Sequence, residues 1–246
     1  MKTWLLLTAL FAASFQVEAA GRLAQVQIVD KASGRALPLH VSNGRHYVAG
    51  KPGKEYSIRV QNRLGEDLLA VISVDGVNVV SGDTASYDQG GYILGPRSNF
   101  DVKGWRKSLE RVAAFYFSRI EDSYAARTGR PDEVGVIGVA LFKRKALQPE
   151  VEADVLSRKD APSAPRGAER SAAGAAAEPG LGTGHGRSVA SVVRYAEFER
   201  ATEMPEEIIA IHYDSHENLV ARGVIPVARR EPQPFPGSFV PDPPRG

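Results

Sequence analysis

The chain has 246 residues, no cysteine, and 31 lysines and arginines against 29 acidic residues, a formal net charge of +2. The missing thiols exclude disulfides, cysteine nucleophiles, cysteine-held metals and a lipoprotein-type lipid anchor. The balanced charge gives no field suited to nucleic acid or anionic lipid, and beyond the N-terminal leader no apolar run approaches the ~18 residues of a membrane span.

Residues 1–19 read as a signal peptide. Met1-Lys2 supplies a positive start, Trp4 to Phe15 an apolar stretch, and Val17 and Ala19 the small residues at a cleavage site. Mature protein is expected to begin near Ala20 and to be periplasmic or extracellular. Residues 20–148 read as a main β-sandwich domain, because apolar residues recur at spacing two or in short solid runs. Tyr56, Ile58 and Val60 alternate with Glu55, Ser57, Arg59 and Gln61, as on a strand with one wet face. Leu68 to Val74 and Val112 to Phe117 are apolar on both parities, as central strands covered on both sides are. Asp75-Gly76 predicts a tight turn pairing Leu68–Val74 with Val77–Ser81.

Gly82 to Arg97 is predicted to be a long structured loop. Glu121 to Glu133 is a second irregular piece, with a helical turn around Tyr124 to Arg127. In the run Val134 to Phe142, Gly135 and Gly138 mark a bulge or a close backbone approach. Residues 149–187, rich in Ala, Pro, Gly and Ser, predict a disordered linker. Residues 188–227 restore the β pattern and read as a hairpin looping at Asp214 to Asn218. Too small to fold alone, this module is expected to dock on the main domain, or to exchange with another copy in a homodimer. Residues 228–246 form a Pro-rich extended tail. The expected fold is an all-β, antiparallel, loosely jelly-roll-like sandwich with a C-terminal hairpin on the same body.

The stretches SVDGVNVVSGDTASYDQGGYILGP, GWRKSLERVAAFYFS, EDSYAARTGRPDEVGVIGVALF, GLGTGHG and YDSHENLVARGVIP together resemble an uncharacterised family of exported bacterial β-rich proteins. The resemblance spans both sides of the linker and implies export and one integrated fold. It carries no activity and no functional residue.

Candidate chemistry concentrates in the long loop. Tyr87, Asp88, Gln89, Tyr92 and Trp105 are candidate binding residues, because amphipathic rings beside polar side chains suit a protein or glycan surface. Asp75, Asn78 and Asp83 are oxygen donors on turns, of the type that binds calcium. No other cofactor is expected. Asp88, Glu121 and Asp122 are the acids a secreted hydrolase would need. His40, His46, His185, His212 and His216 show no zinc-binding spacing. Gly180 to Gly186 has the glycines of a phosphate loop without its strand-to-helix context. The function expected from these residues is that of a non-enzymatic exported interaction or structural module. A calcium-stabilised module and a hydrolase are the alternatives.

Overall fold

A computed structural model describes residues 20–146 and 180–226. The expected leader, most of the expected linker and the Pro-rich tail lie outside the described residues. The described chain is an all-β sandwich with thirteen strands in two sheets. The strands are β1 (Ala24–Asp30), β2 (Leu39–Ser42), β3 (Arg45–Gly50), β4 (Glu55–Asn62), β5 (Leu68–Val74), β6 (Val77–Asn78), β7 (Tyr92–Leu94), β8 (Asn99–Val102), β9 (Gly104–Arg106), β10 (Arg111–Arg119), β11 (Val136–Lys143), β12 (Leu181–Ala190) and β13 (Glu207–Ser215). Two short helices, α1 (Tyr124–Arg127) and α2 (His216–Ala221), and a 3-10 turn at Pro131–Glu133 complete it.

The six-stranded sheet runs β1-β4-β10-β12, with β8 beside β4 and β9 beside β10. The seven-stranded sheet runs β2-β3-β13-β11-β5-β6, with β7 also on β5. Its β3–β13 pair is parallel, so this sheet is mixed. The alternation in β4 does what period two dictates, with Tyr56, Ile58 and Val60 all fully buried between the sheets. There Tyr56 stacks on Phe117 at 4.5 Å and on Phe115 at 5.4 Å, and Phe117 meets Tyr213 of the opposite sheet at 5.4 Å.

β5 and β11 are apolar on both parities because both their faces are covered. Leu68, Ala70, Ile72 and Val74 face the inter-sheet core, whereas Leu69 and Val71 join Ala140 and Phe142 in a second cluster on the outer face, under Ile93 and Phe198. A third outer cluster joins Tyr47, Leu219 and Ile225 beneath α2. Asp75 (φ 53) and Gly76 (φ 72) make the predicted tight turn, both in the left-handed region. The strand after that turn is only two residues long, shorter than expected.

Two expectations about the second half are corrected. Residues 181–187, assigned to the linker, belong to β12, which pairs with β10 from Leu181↔Arg119 to Ala190↔Arg111. The C-terminal strands dock on the same body but do not form a hairpin, since β12 lies in the six-stranded sheet and β13 between β3 and β11 of the other. Asp214 to Asn218 is no hairpin loop either. Ser215 caps α2, its hydroxyl accepting the Asn218 N–H at 3.1 Å.

Candidate functional site

The turn that Asp75 initiates carries its side chain into the body rather than out to solvent. Oδ1 accepts the Gly135 N–H at 2.9 Å and the Tyr213 hydroxyl at 2.5 Å, while Oδ2 accepts the Thr183 N–H at 2.8 Å. Thr183 Oγ1 lies 2.7 Å from both the Tyr213 and Tyr56 hydroxyls. The chain Tyr56–Thr183–Tyr213–Asp75 thus ties β4 and β12 of one sheet to β13 and the β5–β6 turn of the other. Burial raises the Asp75 carboxyl to about 6, against the downward pull of its Tyr213, Gly135 and Thr183 donors. The Tyr56 and Tyr213 hydroxyls are pushed well above their ordinary value, first by burial and then by the charge of Asp75. All four side chains are buried and bonded to one another, so the network acts as a fastener between the sheets.

The long loop is held by a different set of polar groups. Asn78 Oδ1 accepts the N–H of Val80 at 2.7 Å, and its Nδ2 donates to Gln89 Oε1 at 3.0 Å and to the Gly90 carbonyl at 3.2 Å. Gln89 in turn accepts the Ser86 N–H at 2.9 Å and donates to the Thr84 carbonyl at 3.0 Å. The Ser86 hydroxyl donates to Asp88, which holds that carboxyl below its ordinary value. Arg200 closes the set from the far end of the chain. Its guanidinium lies 4.1 Å over the Phe142 ring and donates to the carbonyls of Tyr87 and Gln89, the latter at 2.6 Å.

The Tyr87 side chain is left out of these bonds, and the residue is 43 % exposed. It stands at the rim of a cleft of ≈ 450 Å³ on the outer face of the seven-stranded sheet, floored by Val71, Ser73, Gly138, Ala140 and Ile208. The floor lies deep because Gly138 has no side chain. A Cβ there would lie 2.7 Å from Ser73 Oγ. Ile208 is 53 % exposed and also borders a second, smaller cleft of ≈ 270 Å³ that includes Arg45, His46 and His212. Burial lowers the His212 imidazole below its ordinary value, and Arg45 and Arg222 act in the same direction.

Of the candidate binding residues, the structure keeps Tyr87, Asp88 and Gln89 together on the loop and separates Tyr92 and Trp105 from them. Tyr92 is 8 % exposed, packs on Phe100, and takes Arg106 Nη2 on its hydroxyl at 3.0 Å. Trp105 is 4 % exposed, edge-on to Phe115 and tilted on Tyr124. Neither ring has a free face for stacking. The calcium trio does not converge. Asp75 and Asn78 are buried and their oxygens already accept N–H or O–H donors, whereas Asp83 is exposed. No group of three or more His, Cys, Asp or Glu suited to a metal occurs among the described residues. The acids named for a hydrolase lie on exposed loops, with Glu121 in a surface ion pair to Arg119 at 3.7 Å.

Sequence reading missed Arg200 and Ile208, which come from the segment assigned to a C-terminal hairpin. Gly138 had a signal, the gap in an apolar run. Arg200 had none, because its role depends on a fold that brings it to residues 87 and 89. Among the described residues, no helix is long and apolar enough to cross a membrane. The fold and site define an all-β sandwich with a braced surface loop over an outer-face cleft. In comparisons with protein-family models, curated proteins and solved structures, nothing matches this chain.

Proposed function

We propose that this chain is an exported, non-enzymatic binding module that engages a protein partner at the cleft beneath Tyr87. The observation that carries the reading is the division of labour in the loop. Asn78, Gln89 and Arg200 fix its backbone, and the Tyr87 ring stays free at the rim of the ≈ 450 Å³ cleft. An aromatic side chain on a preorganised loop supplies contact area at little entropic cost, the usual character of an interface anchor. The apolar floor of Val71, Ala140 and Ile208 favours a protein over a glycan, for which the Ser73 and Ser86 hydroxyls are few polar partners. Export is supported by the leader pattern in residues 1–19.

The test is crosslinking in the native cells, purification of the tagged full-length product and mass spectrometry of what is bound. A near-stoichiometric protein captured by the wild type and lost in a folded Tyr87→Ala variant is the expected result. Capture that ignores Tyr87 would remove the cleft from the interaction, and glycan arrays would then test the other class of partner. The intact mass of the purified chain reports cleavage near Ala20.

A further inference from the structure

The central strand β13 has two strand neighbours over only part of its length. β11 pairs with it from Glu207 to His212, but β3 reaches it only from Ile211 onward. The β2–β3 hairpin has by then turned back at Asn43 (φ 49) and Gly44 (φ 73), so that among the described residues the other side of Glu207 to Ala210 has no strand. The phase of the β11 ladder decides which groups face that gap. Tyr213 N–H donates to the Gly135 carbonyl at 2.9 Å, so odd-numbered residues bond toward β11. Ile208 and Ala210 therefore turn their main-chain groups the other way, into the cleft of ≈ 270 Å³.

That cleft carries the Arg45 guanidinium. Arg45, His46 and His212 line it, and among the described residues Arg45 has no ion pair. The one acid in its wall, Glu207, is already satisfied, its two oxygens accepting the N–H groups of Arg22 and Leu23 at 2.6 Å each. The Arg45 guanidinium beside an unpaired edge discourages pairing with another copy of the same edge and favours a segment that carries a carboxylate. Ile208 gives the edge an exposed apolar side chain shared with the cleft beneath Tyr87.

We infer that the gap beside β13 accepts an extended acidic peptide as an added strand, with the peptide main chain pairing to Ile208 and Ala210 and an Asp or Glu side chain meeting Arg45, His46 and His212. The inference rests on the reading of the chain as an interaction module, and it gives that partner a chemistry and a binding mode.

The test selects a displayed library of random peptides of about ten residues against the full chain, with Arg45→Glu and Ile208→Pro as competing baits. The proline removes a main-chain donor on the gap side and no β11 bond. Selected sequences are expected to carry an Asp or Glu, to bind Arg45→Glu about 10-fold or more weakly, and to slow amide exchange at Ile208 and Ala210. Selection of no peptide, or of peptides that leave those two amides exchanging as before, would overturn strand addition. So would protection of the two amides in the free chain, whether concentration-dependent, which assigns the edge to a second copy, or lost on truncation after Pro226, which assigns it to the chain's own C-terminal residues. Should Ile208→Pro fail to fold, Arg45→Glu on the exposed hairpin tip decides alone. Capture that needs Tyr87 while the two amides stay unprotected would sink strand addition and leave the cleft reading standing. Protection by selected peptides with capture indifferent to Tyr87 would do the reverse.

Discussion

The two polar networks, one at Asp75 and one at Asn78, begin three residues apart in sequence and do opposite work. The Asp75 network sits between the sheets, every hydroxyl and N–H in it is consumed, and nothing is left to present. The Asn78 network lies at the base of an exposed loop, and its bonds leave one large side chain, Tyr87, unspent. A buried polar group must be fully partnered or it costs stability, so its partners define a fold. Asn78 is buried and partnered as well, but the loop it holds exposes the Tyr87 side chain, which faces no such demand and can meet a ligand.

The sharpest way to break this contrast is Asp75→Ala. It leaves the Gly135 and Thr183 amides and the Tyr213 hydroxyl without their acceptor and puts a Cβ-only residue at φ 53. A loss of about 3–5 kcal/mol in urea unfolding is expected, with no change in peptide selection by any fraction that remains folded. A loss below about 1 kcal/mol would mean that the network is not what joins the sheets.

Next in size is the pH response. Burial holds the Asp75 carboxyl at about 6 in the folded chain against an ordinary value of 3.8, so the folded state holds the proton more tightly than the unfolded one. The stabilisation this gives is complete below the unfolded value and disappears as pH rises through about 6, amounting to about 3 kcal/mol across that window. Stability measured from pH 4 to 7 should therefore fall in the wild type and run flatter in Asp75→Asn. Parallel curves would remove Asp75 as the titrating group.

Thr183→Val conserves shape and removes the hydroxyl between Tyr56 and Tyr213, leaving the Tyr56 hydroxyl buried and unpartnered. A cost of about 1–3 kcal/mol is expected in the same unfolding measurement. Asn78→Ala belongs to the other network. It should cost about 1–2 kcal/mol and, unlike Thr183→Val, open the backbone around residues 82–91 to limited proteolysis.

How far these networks were legible follows from their chemistry. The alternation at Tyr56, Ile58 and Val60, the Asp75-Gly76 turn and the helical turn at Tyr124 to Arg127 are local patterns, and the structure has each. Residues 181–187 of β12 read as linker because glycine takes every second position from Gly182 to Gly186 and little apolar surface remains. They form a strand for the same reason, since a Cβ on Gly182 would lie 2.5 Å from Ser123 Cβ and one on Gly184 2.1 Å from Tyr116 Cζ. Missing side chains there admit neighbours, a property that composition alone cannot separate from disorder. Asp75 and Asn78 looked like metal ligands because oxygen-rich turns attract cations and cap backbones with the same atoms. Only the identity of the donors, two of which come from residues 135 and 183, distinguishes the cases. Tyr92 and Trp105 stood near Tyr87 in sequence, but the strands β7 and β9 turn both rings into the core.

The smallest effect on stability should come from the residue most exposed to function. Tyr87 makes no side-chain hydrogen bond among the described residues, and its loop is held through its main-chain carbonyl by Arg200. Tyr87→Ala should therefore shift unfolding by no more than about 0.5 kcal/mol and leave the protease resistance of the loop intact. Partner capture should nevertheless fall by about 10-fold or more, the behaviour of an aromatic anchor at an interface. Arg200→Ala separates the side chain from its support. It keeps the Tyr87 ring but frees the two carbonyls that fix its position, so it should weaken capture while loosening the loop to protease. If Tyr87→Ala instead destabilised the fold by more than about 2 kcal/mol, the ring would be a packing residue and the contrast between the two networks would collapse.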